Sequence, residues 1–265
     1  MKVTLITGAS SGIGEAFARR LAEEKHNLVL VARSEDKLHR LCEALMLEHK
    51  ITAHYIAVDL IDFQADEKLF KETEKHGMQV EWLINNAGFG SLGDFAKLNL
   101  ERELEMIELN ILALVALTHR YLQPMRQRKS GTIINVASTA SFQPIPFFAT
   151  YAATKAFVRS FSEAIAEENR PFGINIMALC PGPTDTGFFD ASNISDNVKS
   201  AMAQKGMQTP EEVVEAALSA AGSGNSQVIP GWLNYFLARS VNVIPNSLIT
   251  RAIGSRLRPK LQEKE

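Results

Sequence analysis

The 265-residue chain predicts a doubly wound α/β fold, a mostly parallel sheet with helices on both faces, and three observations carry that reading. Short aliphatic or β-branched runs alternate with longer amphipathic ones along nearly the whole chain. The short runs are almost continuously apolar, as strands covered on both faces must be. A glycine-rich turn follows the first run without a break and opens an amphipathic segment.

Taken in order, "KVTLIT" is the first strand, "TGASSGIG" the turn and "EAFARRLAEE" the first helix. "NLVLVA" is the second strand, after which Ser34 reads as an N-cap with Glu35 and Asp36 in the favourable first turn of a helix. "TAHYIAV" is the third strand, with Asp59 and Leu60 just after it; "VEWLIN" is the fourth and leads into "NNAG". An apolar helix around 104 to 122 contains "ILALVAL", far short of the roughly 18 residues that span a bilayer. "GTIINVAS" is the fifth strand, a helix carrying "YAATK" follows, and "GINIMALC" is the sixth, running into "CPGPTDT". The polar, interrupted stretch 185 to 207 reads as a lid that orders on substrate, and "TPEEV" then starts a capped helix. A last short strand lies in "QVIP". No linker or repeat divides residues 1 to 230, which form one domain, and 231 to 265 are an amphipathic tail on that domain.

Composition narrows function. With 46% hydrophobic residues, 22% charged and a net charge of −2, nothing favours nucleic acid as a partner. Cys42 and Cys180 have no metal-ligand spacing, so no metal is expected, and they suit a reducing compartment. The opening residues enter a strand directly, so no leader is expected and the location reads as cytoplasmic.

The first turn suggests a dinucleotide site. Gly8, Gly12 and Gly14 allow a tight turn and close backbone approach, while the N-terminus of the following helix offers free N–H groups to a pyrophosphate. In "YAATK", Tyr151 and Lys155 stand one helical turn apart on one face. With GxxxGxG, "NNAG", a serine after the fifth strand, YxxxK and a PG turn after the sixth all present in order, the chain resembles the short-chain dehydrogenase/reductase family. The likeness covers about the first 230 residues and points to the compact branch of ketoacyl- and hydroxysteroid-type reductases, with a Rossmann-like fold.

That resemblance implies hydride transfer between a nicotinamide and a carbonyl or alcohol, with Tyr151 as general acid/base, Ser138 bonding the substrate oxygen, Lys155 holding the nicotinamide ribose, and Asn110 holding a relay water. Asn110 in "MIELNILALVAL" also reads as a satisfied core amide, and Ser138 as a strand-end cap. An ammonium about 4 Å from the phenol would favour its ionised form by roughly 4 kcal/mol at an effective dielectric of 20, bringing Tyr151 toward neutral pH. The cofactor set implied is Gly8, Ser10, Ser11, Gly12, Ile13, Gly14, Arg33, Asp59, Leu60, Asn86, Ala87, Gly88, Tyr151, Lys155, Pro181, Gly182, Thr184 and Thr186. An NAD enzyme carries an acid at the end of the second strand; Ala32 and Arg33 stand there instead, which points to NADP(H).

Phe89, Phe95 and the runs "SFQPIPFF" and "GFF" suggest an apolar pocket for a hydrophobic ketone, and these loops hold no Arg or Lys to clamp a carboxylate. The alternatives are a cofactor-binding sensor without turnover and an enzyme working oxidatively. The 104–122 helix is too greasy to face water, and the family resemblance makes it, with the helix bearing Tyr151, the face of a homodimer or homotetramer. The tail mixes cations with apolar residues and is broken by Pro245 and Pro259. It reads first as cover for the substrate entrance or a partner subunit, and second as a weak, peripheral contact with an anionic membrane.

Overall fold

The computed structural model describes residues 1–188, 206–241 and 244–262, so most of the expected lid, and Phe189 of "GFF", lie outside the described residues. Among the described residues, seven parallel strands stand in the order β3-β2-β1-β4-β5-β6-β7. They are β1 (Lys2–Thr7), β2 (Leu28–Ala32), β3 (Ala53–Ala57), β4 (Gln79–Asn85), β5 (Gly131–Val136), β6 (Ile174–Leu179) and β7 (Gln227–Val228). Every strand expected from the sequence is present.

The helices are α1 (Gly12–Glu23), α2 (Glu35–His49), α3 (Ala65–Lys75), α4 (Leu100–Ile107), α5 (Leu114–Arg128), α6 (Ala149–Asn169), α7 (Pro210–Ala220), α8 (Trp232–Ser240) and α9 (Asn246–Gln262). The near-continuous apolar strands have the cause inferred from the sequence, because alternate side chains feed two cores. Ile6, Leu28 and Leu30 pack with Phe17, Leu21 and Val213 on one face. Leu5, Val29 and Val31 pack with Leu83, Tyr121 and Ile176 on the other.

Two expectations shift in detail. Ser34 occupies the N-cap of α2 with the two acids in its first turn, but its side chain makes no capping bond. Pro245 precedes α9, whereas Pro259 lies inside it and does not end it. A proline one turn from a helix end removes a single backbone bond and leaves the earlier turns intact. The helix at "TPEEV" is capped as anticipated: Thr209 and Glu212 form a reciprocal capping box ahead of Pro210.

The chain leaves β1 toward β2 and β3, then returns to place β4 on the other side of β1. This reversal opens a crevice at the carboxyl ends of β1 and β4, where ligands of such sheets bind.

Candidate active site

A cavity of about 980 Å³ occupies that crevice. On one side it is walled by Gly8, Ser10, Ser11, Gly12 and Ile13 after β1, Arg33 after β2, Asp59 and Leu60 after β3, and Asn86, Ala87 and Gly88 after β4. Ser138, Tyr151, Lys155, Pro181, Gly182, Thr184 and Thr186 line the same space. The strand ends thus gather residues scattered over 179 positions of sequence, the span from Gly8 to Thr186 counted inclusively.

The turn leaves backbone open to the cavity, as a phosphate-bearing ligand requires. Gly8 and Gly12 adopt φ of +65° and +57°, which side-chain-bearing residues rarely adopt. A Cβ on Gly12 would press on Thr186, at 3.0 Å from its methyl carbon, so the β1 turn and the β6 turn close on each other. Gly14 plays a different part from the one expected. It does not line the cavity; a Cβ there would lie 2.6 Å from Asn86 Nδ2 and closer still to the Gly8 carbonyl, so this glycine lets helix, turn and β4 loop pack together. The β4 loop is pinned to β1: Thr7 Oγ1 accepts from the backbone N–H groups of Asn86 and Ala87, and Asn86 Nδ2 donates to the carbonyls of Thr7 and Gly8. The backbone cradle, the helix N-terminus and the facing Arg33 fit a dinucleotide.

Arg33 is 71% exposed at the side chain and stands 3.5 Å from Asp59, an open pair of little energetic weight that leaves the guanidinium available to a ligand. Thr184 is buried and donates to the Gly182 carbonyl, while Thr186 accepts from the Phe188 N–H. Thr184 and Thr186 therefore differ, with Thr186 the one against the glycine turn.

Tyr151, Ser138 and Lys155 come together as expected. Ser138 caps the short turn after β5 by accepting from Ala140 N, so its cap and its position in the cavity coexist. It also stands beside Tyr151, where it favours the phenolate, and Tyr151 is buried between the rings of Phe148 and Phe188. Lys155 Nζ donates to the Val136 carbonyl at 2.7 Å and lies 5.9 Å from the centroid of the phenol ring.

The expected pull of the ammonium on the phenol is overturned. Burial dominates at both groups: it pushes the Tyr151 phenol up to about 12 against the opposing effect of Ser138, and pushes the Lys155 ammonium down to about 8. Each ion loses more by leaving water than the neighbour returns.

Asn110 is a satisfied amide. Its Oδ1 accepts from Phe89 N, and its Nδ2 donates to Phe89 O and Thr154 Oγ1, tying the β4 loop to α6. It sits in a π-helical turn, Glu108–Ala113, between α4 and α5. A second buried polar chain runs beneath the site: Asn85 donates to Thr118 and Asn135, and Asn135 to Ser162. Asn85 and Asn135 are direct neighbours in the β4–β5 register, which no spacing in the sequence displays.

The outer wall is the larger surprise. Leu237, Ala238, Val241, Ile244, Leu248, Ile249, Ile253 and Leu257 bring α8 and α9 over the cavity, in keeping with the first reading of the tail. Arg102 of α4 and Arg256 of α9 also line it, so the cavity does hold cations, supplied by elements outside the loops considered. Arg102 stacks on Phe89 at 3.9 Å and pairs with Glu105. Asn234 keys α8 to the β6 turn: it donates to Gln208 and Pro230, and a Cβ on Gly182 would lie 2.6 Å from its Cγ.

Known proteins resemble this chain in sequence and fold. The family described as short chain dehydrogenase matches residues 2–197. The ketoacyl reductase HetN of Nostoc sp. is 33% identical over 229 residues, covering 86% of this chain and 78% of that protein. A 7beta-hydroxysteroid dehydrogenase of Mediterraneibacter gnavus is 31% identical over 230 residues, covering 87% and 86%. The solved structure of a short-chain dehydrogenase from Sphingobium yanoikuyae in complex with NADPH superposes with a TM-score of 0.81 at 29% identity, over 92% of this chain and 97% of that one. A parallel sheet reversing at β1, a glycine turn at its crevice and a Ser-Tyr-Lys set beside it thus agree with the likeness in sequence: the chain is an oxidoreductase of the short-chain dehydrogenase/reductase family.

Proposed function

We propose that the protein is an NADP(H)-dependent reductase of hydrophobic ketones, with Tyr151 as proton donor. The observation that carries this reading is one cavity in which Ser138, Tyr151 and Lys155 adjoin the glycine turn on one side and an apolar wall of Phe148, Phe188 and Ile145 on the other. A pure binder has no use for a buried phenol aimed into such a space.

A bound reduced nicotinamide supplies the hydride. The Ser138 and Tyr151 hydroxyls hold the carbonyl oxygen between them, and the Tyr151 phenol gives its proton to that oxygen as negative charge develops there. A phenol held at about 12 is protonated throughout the neutral range, the form that reduction needs, and an alkoxide is still by far the stronger base. The Lys155 ammonium then offsets the charge left on the phenolate. Arg33, where an NAD enzyme carries an acid, supports NADP(H), and the NADPH-bound relative from Sphingobium yanoikuyae is in keeping with it. The relatives named for ketoacyl and hydroxysteroid chemistry support a bulky, water-poor substrate, and the exposed leucines of α4 support a homodimer.

The test is Tyr151→Phe. Reduction of hydrophobic ketones, followed by NADPH absorbance, should fall by at least a thousandfold, about what a positioned proton donor contributes, while NADPH affinity stays unchanged. Turnover retained within tenfold would remove Tyr151 from this role.

A further inference from the structure

The tail helices show the solvent a surface that covering the cavity does not explain. On α8, Trp232 is 76% exposed, Phe236 63%, and Leu233 and Tyr235 are also open. The three rings form one cluster, with Phe236 edge-on to both Trp232 and Tyr235 at 6.4 and 6.3 Å between centroids. Arg239 lies over Tyr235 from the same helix. Leu237, Ile244 and Leu248 are exposed and also line the cavity, so the exposed apolar surface reaches its mouth. Between residues 232 and 262 the chain carries Arg239, Arg251, Arg256, Arg258 and Lys260 and no Asp or Glu; Glu263 and Glu265 come only after it. In a chain whose net charge is −2, this is a marked local excess of cations.

We propose that α8 and α9 dock on an anionic lipid surface, with the α8 rings in the headgroup layer and the cavity mouth turned toward the lipid. The chemistry selects that partner. Trp and Tyr suit a boundary that is apolar on one side and wet on the other. Arginines without carboxylates match phosphate headgroups. A second copy of the chain is a poor occupant, because a two-fold interface sets the same patch against itself and would face these cations with cations. The contact is peripheral, since no helix among the described residues is long and apolar enough to cross a membrane. It deepens the function proposed above and rests on it in one respect: a water-poor ketone would pass from lipid to the cavity along Leu248, Ile244 and Leu237.

Docking is measured without turnover, so its failure is distinct from failure of the reductase reading. Full-length protein is floated with vesicles of phosphatidylcholine alone or mixed with phosphatidylglycerol, at low and high salt. Three proteins are compared: wild type, Trp232→Ser with Phe236→Ser, and Arg239→Gln with Arg251→Gln and Arg258→Gln. None of the substituted residues lines the cavity, and NADPH binding checks that each variant folds. Binding to the anionic vesicles only, reversed by salt, lost on removing the rings and weakened about fivefold per arginine removed, is the expected result. Absence of binding, equal binding to both vesicles, or binding that survives both variants overturns the proposal. Self-association lost with the same substitutions, in place of vesicle binding, assigns the face to a second copy and overturns it too. Should the ring variant not fold, the arginine variant and the salt dependence decide alone.

Discussion

Burial holds the Lys155 ammonium at about 8, against an ordinary value of 10.5, so the folded chain carries an unfavourable charge at neutral pH. Below pH 8 the lysine is protonated in both folded and unfolded chains and the full penalty applies. Between pH 8 and 10.5 the unfolded chain binds more protons, so this group makes stability rise with pH. Tyr151, raised to about 12, acts in the opposite direction and only above pH 10. Lys155→Met should therefore yield an inactive protein at least as stable as wild type at pH 7, by up to about 3 kcal/mol less the lost Val136 bond. The advantage should shrink by pH 9, read as urea midpoints at the two pH values. A midpoint lowered equally at both would show that the Val136 bond outweighs desolvation. At the other end of the cavity, Arg33→Ala should weaken NADPH about 10- to 100-fold and spare NADH, since a charge-assisted bond contributes roughly 1.5–3 kcal/mol. Equal loss for both cofactors, measured by fluorescence titration, would give Arg33 only its pairing with Asp59.

Among the elements, the π-turn at Glu108–Ala113 is where helix regularity yields to the site. It places Asn110 against Phe89 and Thr154, so one amide joins the loop after β4 to the helix that bears Tyr151. Asn110→Leu strands the half-buried backbone groups of Phe89 and the buried Thr154 hydroxyl, and should cost about 2–4 kcal/mol, lowering the thermal midpoint and kcat together. Unchanged stability with lost activity would instead indicate a direct part in proton relay. Asn110 shows where sequence reading stops. The strands, the glycine turn and the Tyr151–Lys155 pair were legible because periodicity and short spacing determine them locally. The partners of Asn110, the Asn85–Asn135 pairing and the arrival of Arg102 and Arg256 at the cavity depend on how distant segments meet. The pKa direction at Tyr151 was misjudged for the same reason, since desolvation is set by the whole surrounding fold.

For the molecule as a whole, Leu100, Leu104 and Leu112 along α4 and the π-turn, with Phe157 on α6, remain exposed and apolar. They support a homodimer, expected as a two-chain species by sedimentation at micromolar concentration, which Leu104→Arg with Leu112→Arg should dissolve without loss of NADPH binding. A monomer already in the wild type would retire that face as an interface. The keying of α8 to the β6 turn through Asn234 and Gly182 has a different kind of consequence. The wall that carries Ser138, Tyr151 and Lys155 comes from strand ends and α6, where one altered backbone angle would disturb every neighbour, while the opposite wall is a pair of helices attached toward the end of the chain. Changes confined to these C-terminal helices can therefore reshape what the cavity admits while leaving the glycine turn and the strand ends as they are.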